Sequence, residues 1–310
     1  MGGAVGPALA AAVSNAGGLG MLVLWRADPD TMRKQIRETR ALTAKPFGVN
    51  LNLEFPQEER LDVCLAEKVP IISFFWRDPA TLVRRAKEAG AIVLHTVGSA
   101  DAARGAVDCG VDVVVAQGWE AGGHVRGTVA TLPLVPAVVD AIAPTPVVAA
   151  GGIGDGRGLA AVLALGAAGA WIGTRFLASH EAAIHPHYRE RLLRASENDT
   201  VFLEELFDVG WHKAPHRVLR NKTVDRWEAA GRPASGTRPG EGEVVARSRL
   251  AGEIVRYQSY TPGMDVEGDI DALSLWAGQS VGLVSQVKAA GDIVREIVDE
   301  AQITLRKLAE

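Results

Sequence analysis

Seven short apolar runs, at residues 19–24, 47–51, 71–75, 92–95, 111–116, 147–150 and 170–173, recur along the first part of the chain with helix-sized segments between them. They are rich in β-branched residues and do not alternate apolar with polar. That pattern belongs to strands buried on both faces, as in a parallel sheet wrapped by helices. Residues 78–89 and 100–109 have the matching helical spacing. The expectation is an α/β fold, a TIM (β/α)8-type barrel. Such a barrel needs eight units. Closure removes free edges and seven strands would leave two, so the first strand is expected to be largely missing from this chain, upstream of Met1.

Length alone allows either two domains or one large barrel for 310 residues. After Phe176 the texture changes to charged helical sequence, HPHYRERLLRASENDTVFLEELF, and then to the Gly- and Pro-rich GRPASGTRPGEGE. This is not another βα unit. We expect a barrel of residues 1–182 and 274–310, with its last helices within 277–307, and a helical cap inserted at 183–273.

Charge narrows the partners. Lys and Arg number 33 against 37 Asp and Glu, which gives no positive field for a nucleic-acid backbone or an anionic membrane. No uncharged apolar stretch is long enough to span a bilayer, and the opening MGGAVGPALAAAVSNAGGLGML lacks the basic start of a signal peptide. Cys64 and Cys109 have no Cys or His at metal-ligand spacing and are expected as buried thiols in a reducing, cytoplasmic setting. His185 and His187 have no third ligand at zinc spacing, and a helix start at Pro186 explains them, so no metal is expected. A homodimer is left open.

Barrel chemistry sits on the loops after the strands. The run 147–150 leads into Gly151-Gly152-Ile153-Gly154-Asp155-Gly156-Arg157-Gly158, and 170–172 into Gly173-Thr174-Arg175. Glycines let backbone N–H groups approach a ligand, and a helix start adds its positive end. Two such loops after neighbouring strands make an anion cradle. The spacing is not G-x-G-x-x-G and no acid follows for a ribose, which argues against a dinucleotide fold.

The run 111–116 leads into AQGWEAGGHVRG. Gly118, Gly122, Gly123 and Gly127 would let it fold around a flat ligand, and Gln117 offers an amide at the strand end. His124 is placed above the mouth, where an imidazole of ordinary pKa near 6.5 could accept a proton from a carbon acid. Glu120 is read as a partner of Arg126 or as support for His124. Trp211, Trp227 and Trp276 are read as cap and core packing.

AQGWEAGGHVRG, AAGGIGDGRGLAAVLALGAAGAWIGTRF, WAGQSVGLV, PALAAAVSNAGGLGML and PFGVNLNL together resemble the nitronate monooxygenases, formerly 2-nitropropane dioxygenases, of the FMN-dependent TIM-barrel superfamily that includes the enoyl-acyl carrier protein reductases. The resemblance spans nearly the whole chain. It implies FMN as cofactor, with its phosphate on Gly151, Gly152, Gly173 and Thr174. Asn50, Gln117, Gly122, Gly123, Trp171 and Ile172 would contact the flavin or its ribityl chain. Met1 and Gly2 would remain of a Pro-Met-Gly-Gly type turn against the ring. His124 matches the family's catalytic base. Gln279 and Ser280 would line the substrate side, although Ser280 could equally cap a helix. The implied reaction converts alkyl nitronates to carbonyl compounds and nitrite with O2. The alternative is NAD(P)H-dependent reduction of an enoyl thioester or quinone. A non-catalytic barrel binding a phosphate ligand is a third reading.

Overall fold

The structure, a computed structural model, describes residues 1–310. Every expected run is a strand: β1 (Gly20–Val23), β2 (Phe47–Asn52), β3 (Ile71–Phe75), β4 (Ile92–Val97), β5 (Val113–Gln117), then, past the two-residue β6 (Gly123–His124), β7 (Val147–Ala150) and β8 (Gly169–Trp171). Between them run α1 (Pro7–Asn15), α2 (Pro29–Leu42), α3 (Glu58–Ala66), α4 (Ala80–Glu88), α5 (Ala100–Asp108), α6 (Thr131–Ile142) and α7 (Gly156–Ala164). Local chemistry fixes the helix starts. Asp28 caps α2 by accepting from the Asp30 and Thr31 N–H groups, Asp155 does the same for α7 with Arg157 and Gly158, and Pro7 and Pro29 occupy first-turn positions.

Parallel pairing gives one sheet in the order β1-β2-β3-β4-β5-β7-β8, with β1 and β8 as its edges. The strand residues facing the helices are fully buried. Leu22, Val49, Leu51, Ile72, Phe74, Val93, Val114 and Val147 share one core with Met32 and Ile36 of α2, Leu61 of α3, Val83 of α4 and Leu134 and Val138 of α6. On the opposite, concave face Met21, Val23, Asn50, Phe75, Gln117, Val148 and Trp171 stay half-buried. The main core therefore lies between sheet and helices, and the concave face is a lined surface. After the short α8 (Thr174–Leu177) and the insertion, α11 (Ala290–Ala309) packs against both α7 and α1 and closes the helical layer around the curled sheet.

The insertion differs from the helical cap expected. It carries only two α-helices, α9 (Pro186–Arg194) and α10 (Lys222–Ala229), beside β9 (Thr200–Leu203), β10 (His216–Leu219), β11 (Val244–Ser248), β12 (Gly252–Val255) and β13 (Val266–Gly268). These strands form two three-stranded antiparallel sheets, β12-β11-β13 and β6-β10-β9. Of the charged stretch that suggested helix, Pro186–Arg194 is indeed α9, but Thr200–Leu203 is strand β9, and further on β11 buries Ala246 and Ser248 while Arg247 points out. The second sheet includes β6, so the insertion is hydrogen-bonded to the loop after β5. The His185 side chain caps α9 by accepting from the His187 N–H. Cys64 is buried, and burial pushes its thiol up to about 12. Cys109, expected to be buried, is only half-buried, because it ends α5 beside Gly110. No helix is long and apolar enough to cross a membrane.

Candidate active site

β7 and β8 are hydrogen-bonded neighbours, with Ala150 opposite Trp171, so the Gly151-Gly152 and Gly173-Thr174 turns begin side by side at the same end of the sheet. Gly151 has φ +96° and Gly152 φ +72°, in the left-handed region, and a Cβ on Gly151 would lie 2.9 Å from the Gly118 carbonyl oxygen. Only glycine permits that turn to close on the β5 loop. The buried Thr174 accepts at Oγ1 from the Gly278 N–H at 3.0 Å.

The 116–127 loop is held from three directions. The Gln117 side chain bridges it internally: Nε2 donates to the His124 carbonyl and Oε1 accepts from the Arg126 N–H, both at 3.0 Å. Glu120 is neither a partner of Arg126 nor a support for His124. Its two oxygens accept from the Thr131 N–H at 3.0 and 2.9 Å and so cap α6. A Cβ on Gly122 would stand 2.3 Å from Gly278 N, so this glycine lets the loop lie on the Ala277-Gly278 backbone. On the far side β6 pairs with β10, His124 opposite His216 and Gly123 opposite Arg217. The buried Arg217 guanidinium donates to the Trp119 carbonyl at 3.1 and 3.3 Å and to Thr200 Oγ1 at 3.3 Å.

His124 projects into an aromatic surround. Its ring stacks on Trp211 with centroids 3.7 Å apart, and Trp276, His216 and Trp76 stand at 5.1, 5.8 and 6.4 Å. Trp211 also meets Trp25 at 5.6 Å and Trp76 at 5.1 Å, and Arg26 lies over the Trp25 ring at 4.3 Å. As a residue His124 is half-buried, but its Nε2 is sealed from solvent and has no hydrogen-bond partner. Burial first, and then the electrostatic influence of His216, Arg26 and the Met1 amino group, holds its pKa well below the ordinary 6.5. The imidazole is therefore neutral at pH 7 and a weaker base than its residue type alone implies. His216 is locked neutral: Nδ1 contacts the Ala214 carbonyl at 2.8 Å, Nε2 accepts from the Phe207 N–H at 3.3 Å, and burial lowers its pKa to about 4.

The other expected residues fall in distinct places. Asn50 lies on the concave face and donates Nδ2 to Ser73 Oγ at 3.1 Å, which leaves its carbonyl oxygen as an acceptor. Trp171 lines that face with Leu94, Val115 and Ala150, while Ile172 packs toward the helices. Met1 and Gly2 lie between the ends of the edge strands: a Cβ on Gly173 would be 3.4 Å from Met1 Cγ, and one on Gly2 3.7 Å from Val23. The Gly2 carbonyl accepts from Thr261 Oγ1, which accepts in turn from the Trp276 indole N–H at 3.0 Å. Gln279 and Ser280 line a cavity of about 310 Å³ with Glu120, Gly152 and Glu197, and His124 is not among its walls. The member of the WAGQSVG segment that reaches His124 is Trp276. Trp211 and Trp276, expected as packing, thus belong to the site, whereas Trp227 packs within the insertion and donates to the Pro233 carbonyl.

The family model described as nitronate monooxygenase matches residues 1–59 and 53–300. The chain belongs to the nitronate monooxygenase family. It is 40% identical over 235 residues to a Mycobacterium tuberculosis protein named (3aS,4S,5R,7aS)-5-hydroxy-7a-methyl-1-oxo-octahydro-1H-indene-4-carboxyl-CoA dehydrogenase, a match covering 75% of this chain and 64% of that relative. Among solved structures it is similar to FabK from Thermotoga maritima, with 39% identity and a TM-score of 0.81 over 100% of this chain and 93% of that one. It is also similar to nitroalkane oxidase from Streptomyces ansochromogenes, with 28% identity and a TM-score of 0.80 over 100% and 95%. Family and fold make the chain a flavin-dependent oxidoreductase built on the barrel architecture.

Proposed function

We propose that this protein binds FMN and oxidises alkyl nitronates to carbonyl compounds and nitrite, consuming O2. The reading is carried by the continuity of the glycine cradle with the histidine loop: Gly151 closes on Gly118, and Gly122 and Thr174 meet on Gly278. An anion held on the β7 and β8 turns would thus share one rigid frame with His124. The cradle offers a phosphate monoester backbone N–H groups and the buried Thr174 hydroxyl, with the Met1 side chain against Gly173 and the Glu120 side chain against Gly152 at its edges. Gly151, Gly152, Gly173 and Thr174 would hold that phosphate, while Asn50, Gln117 and Trp171 line the concave face on which a flat ring would rest. When bound, FMN supplies the electron-accepting chemistry.

The chain's own residues supply orientation and electrostatics. Neutral His124 orients the nitronate and does so without bringing a proton equilibrium into the pH 7 range. The tryptophans around it exclude water, which strengthens each polar contact made there. O2 and the small-molecule substrate are the partners this reading requires.

A second reading, dehydrogenation or reduction next to an acyl thioester, is favoured by the 40% identity over 235 residues to the protein named as an indene-carboxyl-CoA dehydrogenase, above the 28% to the nitroalkane oxidase. One experiment separates the two. The yellow holoprotein is mixed anaerobically with propionate 3-nitronate, NADH, NADPH and an acyl-CoA in turn, and flavin absorbance is followed. Bleaching by the nitronate is expected. Bleaching by a nicotinamide or acyl-CoA with none by nitronate would transfer the assignment to the second reading, and a protein that never takes up FMN would overturn both.

A further inference from the structure

Six buried side-chain nitrogen or oxygen atoms in the molecule have no hydrogen-bond partner, and two of them belong to rings that stack on each other: His124 Nε2 and Trp211 Nε1. A buried indole N–H almost always finds an acceptor. Trp276, on the other side of His124, shows the ordinary case by donating to Thr261 Oγ1. Trp211 is 4% exposed and is delivered by the insertion, on a turn between Gly210 (φ +88°) and Lys213 (φ +52°). The guanidinium of Arg26 reaches the carbonyl of Gly210 at 3.4 Å and that of Ser259 at 3.3 Å, and it makes no ion pair within 4.0 Å. The standing charge next to the two orphaned atoms is therefore positive, and no carboxylate balances it.

We propose that Trp211 is a substrate-binding residue: its indole N–H, together with His124 Nε2 and in the field of Arg26, receives the oxygens of a small planar oxyanion, a nitronate or carboxylate-like group. This rests on the assignment of this end of the sheet as the active site and holds for either reading above. An oxyanion accepts from the Trp211 indole N–H and, in the imidazole tautomer that carries its proton on Nε2, from His124 as well, so the desolvation each suffers in the free protein is offset on binding. Arg26 contributes charge at the rim without needing a direct contact. The insertion thereby completes the site as well as covering it.

The test uses propionate, a redox-inert isostere of ethyl nitronate, and the variants Trp211→Phe, which keeps a stacking ring without the N–H, and Arg26→Met. Dissociation constants for the holoproteins are measured by ligand-observed NMR, with melting midpoints alongside. Trp211→Phe is expected to weaken propionate about tenfold, the effect of losing one hydrogen bond to a charged group. It should raise the KM for propionate 3-nitronate by a similar factor, with kcat changed less than about threefold. Arg26→Met should weaken propionate about fivefold and flatten the salt dependence of binding. Wild-type protein that does not bind propionate, or a Trp211→Phe variant that binds it as wild type does, overturns the proposal. A lowered melting midpoint with unchanged affinity assigns Trp211 to packing and does the same. If Trp211→Phe does not fold, Arg26→Met decides, and unchanged affinity there overturns it. Propionate binding that depends on Trp211 in a protein whose flavin nitronate does not bleach would sink the nitronate reading and leave this one standing.

Discussion

Gly122→Ala isolates the contact that holds the histidine loop to the rest of the site. The new methyl carbon would stand 2.3 Å from Gly278 N, 2.4 Å from Ala277 C and 2.8 Å from Ala277 Cα. All three are backbone atoms, so no side-chain rotation relieves the overlap, and a normal contact needs roughly 1 Å of displacement. Overpacking of this kind costs about 3 kcal/mol, or a drop of roughly 6 °C in melting midpoint for a chain of this size. Displacing the frame of His124 by about 1 Å is expected to cost on the order of a hundredfold in turnover. Gly123→Ala is the internal control: φ there is +76°, yet nothing lies within 4 Å of the added carbon. It should cost about 1–2 kcal/mol in backbone strain and lower turnover far less than Gly122→Ala does. Melting by calorimetry, flavin content by absorbance and flavin reduction by stopped flow give the three readouts. Wild-type turnover and midpoint in Gly122→Ala would refute the claim that Ala277-Gly278 sets the position of His124.

Three further outcomes follow from the same geometry. Buried His216 and His95 both have pKa lowered to about 4, so below pH 6.5 the unfolded chain takes up protons that the folded chain refuses. Stability is fully present above pH 6.5 and should fall by about 3 kcal/mol per histidine as pH drops toward 4; a urea midpoint that is flat from pH 7.5 to 4.5 would contradict this. Gly151→Ala, forced into φ +96° and against the Gly118 carbonyl, should lower flavin retention about tenfold on dialysis, and undiminished retention would remove this turn from the cradle. Arg217→Met strips two hydrogen bonds from the Trp119 carbonyl and should raise amide hydrogen exchange across 118–124, with unchanged protection showing that β10 does not anchor the loop.

Much of the barrel was legible because burial on both faces leaves a simple mark: runs such as VVVAQ and VVAA have no polar alternation, and each became a strand within a residue or two of its expected bounds. The insertion was less legible. Its strands are short and carry arginines and glutamates on one face, a pattern that local reading cannot separate from a solvated helix. Within the site, the glycine turns and His124 stood out as residue types unusual at strand ends. The signal for Trp211 was only its type: nothing local shows that an indole from the insertion will stack on an imidazole from the β5 loop. Glu120 shows the converse, since its sequence neighbours suggested Arg126 while its partner, the Thr131 N–H, lies one loop further on.

By itself, then, the sequence determined the βα rhythm, the glycine turns after neighbouring strands and the presence of an imidazole between glycine pairs. These depend on periodicity and on backbone freedom, which are properties of short segments. Tertiary structure alone decided that the imidazole is neutral, that tryptophans enclose it and that β10 of the insertion holds its loop in register. Those outcomes depend on desolvation and on pairing between segments far apart in the chain, and burial acquires a value only once the chain has closed around the group.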